Sequence, residues 1–237
     1  MNLKIKNISL KNLNILTVCV SMMMFILMWW GIVLIPTSIP YSSTFGRILL
    51  TILLVLLTKY FDEDLKIKLS EMYRNFNFKN FVYSLIGVFA YMYIGSCIIS
   101  KNICLLDFSY RDFEGYVSLF FLALFEEMFF RGWGYNAFWS AFDKKIENQK
   151  EIKIFNRFGI TKSEIKAIIF TNFFFAVIHL QSYITILHYN FLQTLENCIH
   201  VFLIGTFLTL IFRKTKLIWN AIAVHFFWDY IIGFIVK

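Results

Sequence analysis

Residues 116–142 read YVSLFFLALFEEMFFRGWGYNAFWSAF and decide the class of fold. This run is mostly apolar, and its charged residues are Glu126, Glu127 and Arg131. It is longer than the ~20 residues that an α-helix needs to cross the hydrocarbon core of a bilayer. The run therefore predicts a transmembrane helix, with a bend near Gly132–Gly134 because glycine weakens a helix locally.

The composition extends this prediction to the whole chain. Of 237 residues, 59% are hydrophobic and 16% are charged, whereas soluble domains contain about 45–50% apolar and about 25% charged residues. Such a chain is neither disordered nor collagen-like, and it is too apolar for a secreted disulfide scaffold. The four cysteines lie in apolar stretches without any C-x-x-C pair, so we interpret them as core residues.

Seven apolar runs are bounded by charged or turn residues, and they are the predicted spans: Leu13–Ile35, Phe45–Phe61, Phe81–Ser100, Tyr116–Phe142, Ile165–Gln181, Phe191–Phe212 and Leu217–Val236. One further span is possible, so the fold class is an all-α polytopic membrane protein with about seven or eight transmembrane helices. Asp62–Asn80 and Asp143–Glu164 mix charged and apolar residues, and we predict that they form interfacial amphipathic helices. Solvated loops are the alternative.

The basic residues predict the orientation of the chain. Eighteen of the 23 Lys and Arg precede the first span or follow spans two, four and six. By the positive-inside rule this side, with the amino terminus, is cytoplasmic, in a multi-pass protein of the cell membrane. Because these charges alternate with the spans and form no single patch, the net charge of +8 does not indicate nucleic-acid binding. The composition, rich in Lys, Asn, Ile and Phe, is typical of an AT-rich bacterial source.

Ionisable groups inside the spans are the candidates for a functional site, because each costs ~2.5–3.5 kcal/mol at the bilayer centre unless it has a partner or a function. They are Glu126, Glu127, Arg131, His179, Glu196, His200, His225 and Asp229. On a helix Glu127 and Arg131 lie one turn apart and can neutralise each other. Glu126 lies about 140° from Arg131 around the helix. It is therefore left as a desolvated carboxylate suited to general acid or base chemistry, unless the three groups form only a structural ion cluster.

Two histidines on other spans share this chemistry. His179 follows Phe175 on one helix face, and a lone histidine there is otherwise a satisfied core residue. His225 and Asp229 are spaced so that the carboxylate can hold the imidazole in one tautomer. Helix rise places Glu126, His179 and His225 at depths of ~27, ~20 and ~13 Å from the nearest cytoplasmic basic residue. Tilt or a bend must absorb this mismatch if the three groups line one cavity within the bundle.

Three motifs now stand in order: Glu126-Glu127-x-x-x-Arg131, Phe175-x-x-x-His179 and His225-x-x-x-Asp229. With them the chain resembles the CAAX protease and bacteriocin-processing (Abi) family of intramembrane proteases. The resemblance covers roughly Tyr116–Ile232. It suggests a catalytic core over residues 116–237, preceded by residues 1–115 as amino-terminal transmembrane helices and an interfacial segment.

The resemblance implies a glutamate-dependent intramembrane endopeptidase that needs no cofactor. Carried over, Glu126 would activate the attacking water, His179 would position or deprotonate it, and His225 with Asp229 would face the oxyanion. Glu127, Arg131 and Phe175 would support them. Asp229 departs from the commoner Asn, and an ionised carboxylate cannot donate to an oxyanion, so Asp229 must be protonated or must instead orient a charged His225.

Two alternatives stay open. In a zinc-dependent protease Glu127, His179 and His225 would hold the metal, although no H-E-x-x-H motif is present. In a non-catalytic immunity or partner-binding membrane protein the same groups would form an ion-pair core. The expected partners are the lipid bilayer and a peptide or lipidated protein substrate within it. Substrate identity and oligomeric state are not indicated by the sequence, and Glu196 and His200 match no motif.

Overall fold

The computed structural model describes residues 14–33, 42–60, 62, 65–74, 78–87, 113–146, 153–155 and 159–232. Its elements, in chain order, are almost all helical. The helices are α1 (Ile15–Val33), α2 (Ser42–Tyr60), α3 (Leu69–Met72), α4 (78–87), α5 (Phe113–Glu127), α6 (Asn136–Ile146), α7 (Lys162–Gln181), α8 (Phe191–Thr215) and α9 (Ile218–Ile232). Two π-helices, π1 (Met128–Tyr135) and π2 (Ser182–Ile186), follow α5 and α7, and two short strands, β1 (Lys153–Phe155) and β2 (Ile160–Thr161), precede α7.

Three of the described helices are long and apolar enough to cross a membrane: Ile15–Ile32, Lys162–Ile186 and Phe191–Thr215. Large apolar side chains on these helices are exposed, including Leu16 at 72% and Phe191 at 78%. A water-soluble protein does not present such continuous apolar faces to solvent. The prediction of a helical membrane protein is therefore confirmed. The number of seven or eight spans stays a prediction, and most of the predicted span Phe81–Ser100 lies outside the described residues.

The helix that carries the first motif changes its winding instead of bending sharply. From Met128 to Tyr135 the chain is π-helical between α5 and α6. The Asn136 amide donates to the carbonyl oxygens of Arg131 at 3.2 Å and of Gly132 at 2.9 Å, which provides partners for carbonyls of the wide turn. The predicted irregularity near Gly132–Gly134 is thus a π-helical segment directly after the two glutamates.

Aromatic packing and a hydrogen bond hold α1 against α5, π1 and α7. The Trp29 ring stacks on Phe125 of α5 with centroids 4.9 Å apart. Trp30 donates from Nε1 to the carbonyl oxygen of Ile178 in α7 at 2.9 Å. On the same helix, Met22 lies so close to π1 that a Cβ on Gly134 would be 3.0 Å from its methyl carbon. These contacts hold α5, π1 and α7 in one arrangement.

The two predicted interfacial helices are wrong where the structure describes them. Within Asp62–Asn80 the only complete helix described is α3, one turn long, and the described residues 65–67 before it form a bend. Leu65 and Ile67 alternate into the core at 4% and 2% exposure. The Ile67 amide donates to Asn136 Oδ1 at 3.2 Å. Because the Ile67 amide takes a side-chain acceptor, it makes no helical hydrogen bond, and the chain bends here instead of forming a helix.

The described part of Asp143–Glu164 forms the end of α6 and the antiparallel strands β1 and β2. Helix α7 then begins sharply, because Thr161 caps it in a reciprocal capping box with Glu164. The Glu164 side chain is buried and accepts hydrogen bonds from Tyr135 Oη at 2.8 Å and Arg213 Nε at 2.5 Å. Because Glu164 is buried and paired, the described residues of Asp143–Glu164 do not form an amphipathic helix on the surface.

Candidate active site

The two adjacent glutamates have different partners, as their helix spacing predicts. Arg131 donates from Nη1 to Glu127 Oε1 at 2.8 Å, and both side chains are completely buried. Arg131 donates to Glu127 and to the Gly205 carbonyl oxygen and not to Glu126, whose side chain is 5% exposed. The pairing distinguishes the two carboxylates: Glu127 uses Oε1 for Arg131, while its Oε2 has no hydrogen-bond partner among the described residues.

His225 of α9 brings the first and third motifs together. Its Nδ1 lies 2.7 Å from Glu127 Oε1, while its Nε2 lies 3.7 Å from Glu126 Oε2 and 3.6 Å from Asp229 Oδ2. Both ring nitrogens therefore face carboxylate oxygens, and each can donate when the ring is protonated. Glu127 fixes the orientation of the imidazole, and Nε2 is aimed between the other two carboxylates.

His179 of α7 has its tautomer set by the backbone. Its Nδ1 lies 2.8 Å from the carbonyl oxygen of Phe175. A carbonyl oxygen only accepts, so Nδ1 carries the proton of the neutral ring and Nε2 keeps a lone pair. The second motif thus presents an acceptor nitrogen, which suits a residue that binds or deprotonates water.

The Phe175 ring is the wall that these groups share. Its centroid lies 5.0 Å from that of His179 and 5.9 Å from that of His225. The Arg131 guanidinium carbon lies 4.4 Å from the same centroid, within cation–π range. All four predicted catalytic residues and all three predicted supporting residues are therefore brought into one neighbourhood, although their roles stay predictions.

Gly205 of α8 is a neighbour of the site that the sequence analysis missed. Its carbonyl oxygen accepts a hydrogen bond from Arg131 Nη2 at 2.9 Å. A Cβ at this position would lie 2.6 Å from both Asn172 Oδ1 and Phe175 Cδ1, closer than real contacts allow. Only glycine permits this approach of α8 to α7, and one glycine in an apolar run gives no sequence signal of it.

Arg47 was also missed, although this residue lies within the predicted span Phe45–Phe61. It lies in α2, where Nη1 donates to the Ser118 carbonyl oxygen at 3.1 Å and to the Ser118 hydroxyl. Its guanidinium carbon is 5.4 Å from the Trp29 ring centroid, and it interacts electrostatically with Glu126 and Asp229. A second cation therefore offsets the carboxylates from the α2 side.

The site is nearly closed except beside Asp229 and His179, which are partly exposed. Glu126 is 3% and His225 4% exposed, whereas the Asp229 side chain is 21% exposed. Two apolar cavities, of about 360 and about 260 Å³, lie between α7 and α8 and beside α8 and α9, and the predicted catalytic residues do not line them. The predicted cavity around the site stays a prediction. His200 packs its ring 6.0 Å from that of Trp228, outside the motif cluster.

The residues present give a limited fit to a metal. Within the described ranges no three His, Cys, Asp or Glu side chains are grouped to hold an ion. Of the suggested zinc ligands, Glu127 already accepts from Arg131 and lies against His225, and His179 uses Nδ1 on the backbone. These contacts occupy ligand atoms that zinc would need, and the metal content of the purified protein tests the zinc-dependent alternative.

A known protein family matches the part of the chain that carries the three motifs. The family model described as type II CAAX prenyl endopeptidase Rce1-like matches residues 113–231. The chain belongs to this family, which confirms the resemblance drawn from the three motifs. Membership implies a membrane endopeptidase, a hydrolase of peptide bonds. Comparison with curated proteins and with solved structures gives no match.

Proposed function

We propose that this protein is an intramembrane endopeptidase in which Glu126 activates water to cleave a peptide bond. The observation that carries the proposal is that the two adjacent glutamates have different contacts. Glu127 is used by Arg131 and His225, whereas Glu126 has a free carboxylate with His225 Nε2 at 3.7 Å. A buried carboxylate without a hydrogen-bonded cation is a suitable general base.

The proposed reaction uses each motif once. Glu126 removes a proton from a water molecule that His179 Nε2 helps to position, and the water oxygen attacks the scissile carbonyl carbon. The carbonyl oxygen then carries the negative charge, which His225 stabilises from Nε2. When the C–N bond breaks, Glu126 returns the proton to the leaving amine. The products are a new carboxylate and a new amino terminus, so atoms and charge balance.

The proposed substrate is a membrane-associated peptide, either a lipidated protein tail or a peptide precursor. The family description names prenyl endopeptidases, which makes a prenylated tail the first to test. A non-prenylated peptide of the same sequence is the second. Both classes would enter from the membrane, because the exposed faces of α7 and α8 are apolar.

The test compares peptide fragments from membranes that contain the wild type, Glu126→Gln or His179→Ala. We expect at least one fragment whose formation both variants abolish, since one loses the base and the other the acceptor that positions water. Glu196→Gln is the matched control, because Glu196 is an exposed carboxylate of α8 outside the motif cluster. It should leave that fragment unchanged. Full cleavage by Glu126→Gln would refute the proposal.

The same variants test the two alternatives. Stoichiometric zinc in purified protein, lost together with activity on chelation, would favour the metal-dependent protease. Full biological activity of Glu126→Gln without any cleavage would favour an immunity or partner-binding protein. In that case the Glu127–Arg131–His225 cluster would be an ion-pair core.

A further inference from the structure

Tyr183 extends the catalytic face of α7 by one turn. Phe175, His179 and Tyr183 are spaced four residues apart, and π2 continues α7 without interruption. The ring centroids of His179 and Tyr183 are 6.2 Å apart with a 31° angle between the planes. A half-buried phenol therefore lies directly beside the imidazole that is proposed to hold water.

The hydroxyl of Tyr183 belongs to the electrostatic environment of the site. It interacts with the carboxylates of Glu126 and Asp229, and on the α8 side with Cys198. No described residue forms a hydrogen bond with this hydroxyl. A phenol has an ordinary pKa of about 10 and keeps its proton at neutral pH, so Tyr183 is an available donor. The stacked ring of Tyr189, 5.8 Å away and inclined by 19°, helps to hold the phenol in place.

The two arginines near the site donate from their Nη atoms to other groups, whereas their Nε atoms have no hydrogen-bond partner among the described residues. Arg131 donates to Glu127 and to the Gly205 carbonyl, and Arg47 donates to Ser118. His225 Nε2 supplies one hydrogen bond to an oxyanion. The residue at the end of the third motif, which would be the second donor if it were Asn, is Asp229 and carries no N–H.

We propose that the Tyr183 hydroxyl donates the second hydrogen bond to the oxyanion, in place of the amide that an Asn at position 229 would supply. This inference rests on the proposed function. It makes Tyr183 a further catalytic residue of this chain and explains how the site works with an acidic residue in the third motif. A phenol is a competent donor to developing negative charge in a site of low dielectric constant.

The test is Tyr183→Phe, assayed on a peptide that spans the cleavage site identified by its dependence on Glu126. Loss of one oxyanion donor lowers kcat by about 10²–10³-fold in known enzymes, and we expect a fall of this order with little change in KM. The ring remains, so expression and thermal unfolding should match the wild type. Tyr189→Phe is the control, because it removes the same atom from the stacked neighbour and should retain wild-type kcat.

A second substitution separates catalysis from packing. Asp229→Asn returns an amide donor, so in the Tyr183→Phe background it should raise kcat by at least about tenfold, a fraction of one donor's effect. A kcat of Tyr183→Phe equal to that of Tyr189→Phe, or no recovery in the double variant, would overturn the inference. If Glu126→Gln is inactive while Tyr183→Phe is fully active, only this inference fails. If Glu126→Gln is active, the proposed function itself fails.

Discussion

Replacing Gly205 by alanine tests whether the close approach of α8 to α7 shapes the site. The new Cβ would lie 2.6 Å from Phe175 Cδ1 and from Asn172 Oδ1, and 3.2 Å from Arg131 Nη2, whereas ordinary contact begins at 3.4 Å. The neighbours must therefore move by roughly 1 Å, and overpacking of this kind costs about 1–3 kcal/mol. Alanine returns about 1 kcal/mol of helix propensity. The expected net loss is therefore up to about 2 kcal/mol.

The assay combines thermal unfolding of purified protein with the rate of peptide cleavage below the unfolding transition. At about 2–4 °C per kcal/mol for a chain of this size, Gly205→Ala should lower Tm by a few degrees. Its activity should fall further than its stability, because Phe175 touches both histidines and Arg131. Gly31→Ala is the matched control, since a Cβ there meets nothing within 4 Å. Equal stability and activity of the two variants would refute the reasoning.

Three further substitutions test the buried polar network around π1. Arg131→Met leaves Glu127 buried without the arginine and should lower the free energy of unfolding by about 3–5 kcal/mol. Adding Glu127→Gln should restore part of this loss. Identical denaturation midpoints for the single and double variants would contradict the pairing. Asn136→Ala removes the hydrogen bonds to Ile67, Arg131 and Gly132. Each bond contributes about 0.5–1.5 kcal/mol, so a loss of about 2–4 kcal/mol is expected in the same denaturation assay, and a wild-type midpoint would show that Asn136 does not support the π-helix.

Local helix geometry was sufficient to predict the pairing of Glu127 with Arg131, because both partners lie one turn apart on the same helix. It was also sufficient to separate Glu126 from that pair. The scarcity of charge in the spans then identified His179, His225 and Asp229, and the structure brings all of them to the same neighbourhood. The helix depths that disagreed at constant rise are compatible with this packing, since His225 Nε2 lies 3.7 Å from Glu126.

Contacts between distant parts of the chain could not be predicted in this way. The hydrogen bond between His225 and Glu127 joins residues 98 positions apart, and that of Arg131 with Gly205 joins residues 74 apart. Nothing in the local periodicity of either segment encodes the partner. The π-helix and the bend at Ile67 share the Asn136 side chain as a hydrogen-bond partner, so the failed prediction of a helix over Asp62–Asn80 has a tertiary reason.

The most direct test of the glutamate-dependent mechanism is hydrolysis by purified protein in lipid vesicles with ¹⁸O-labelled water. The wild type should release a fragment whose new carboxylate contains one ¹⁸O atom, because water attacks the scissile carbonyl. Glu126→Gln, reconstituted at the same level and equally stable, should release none. Release of the labelled fragment by Glu126→Gln at the wild-type rate would contradict the assignment of Glu126 as the base.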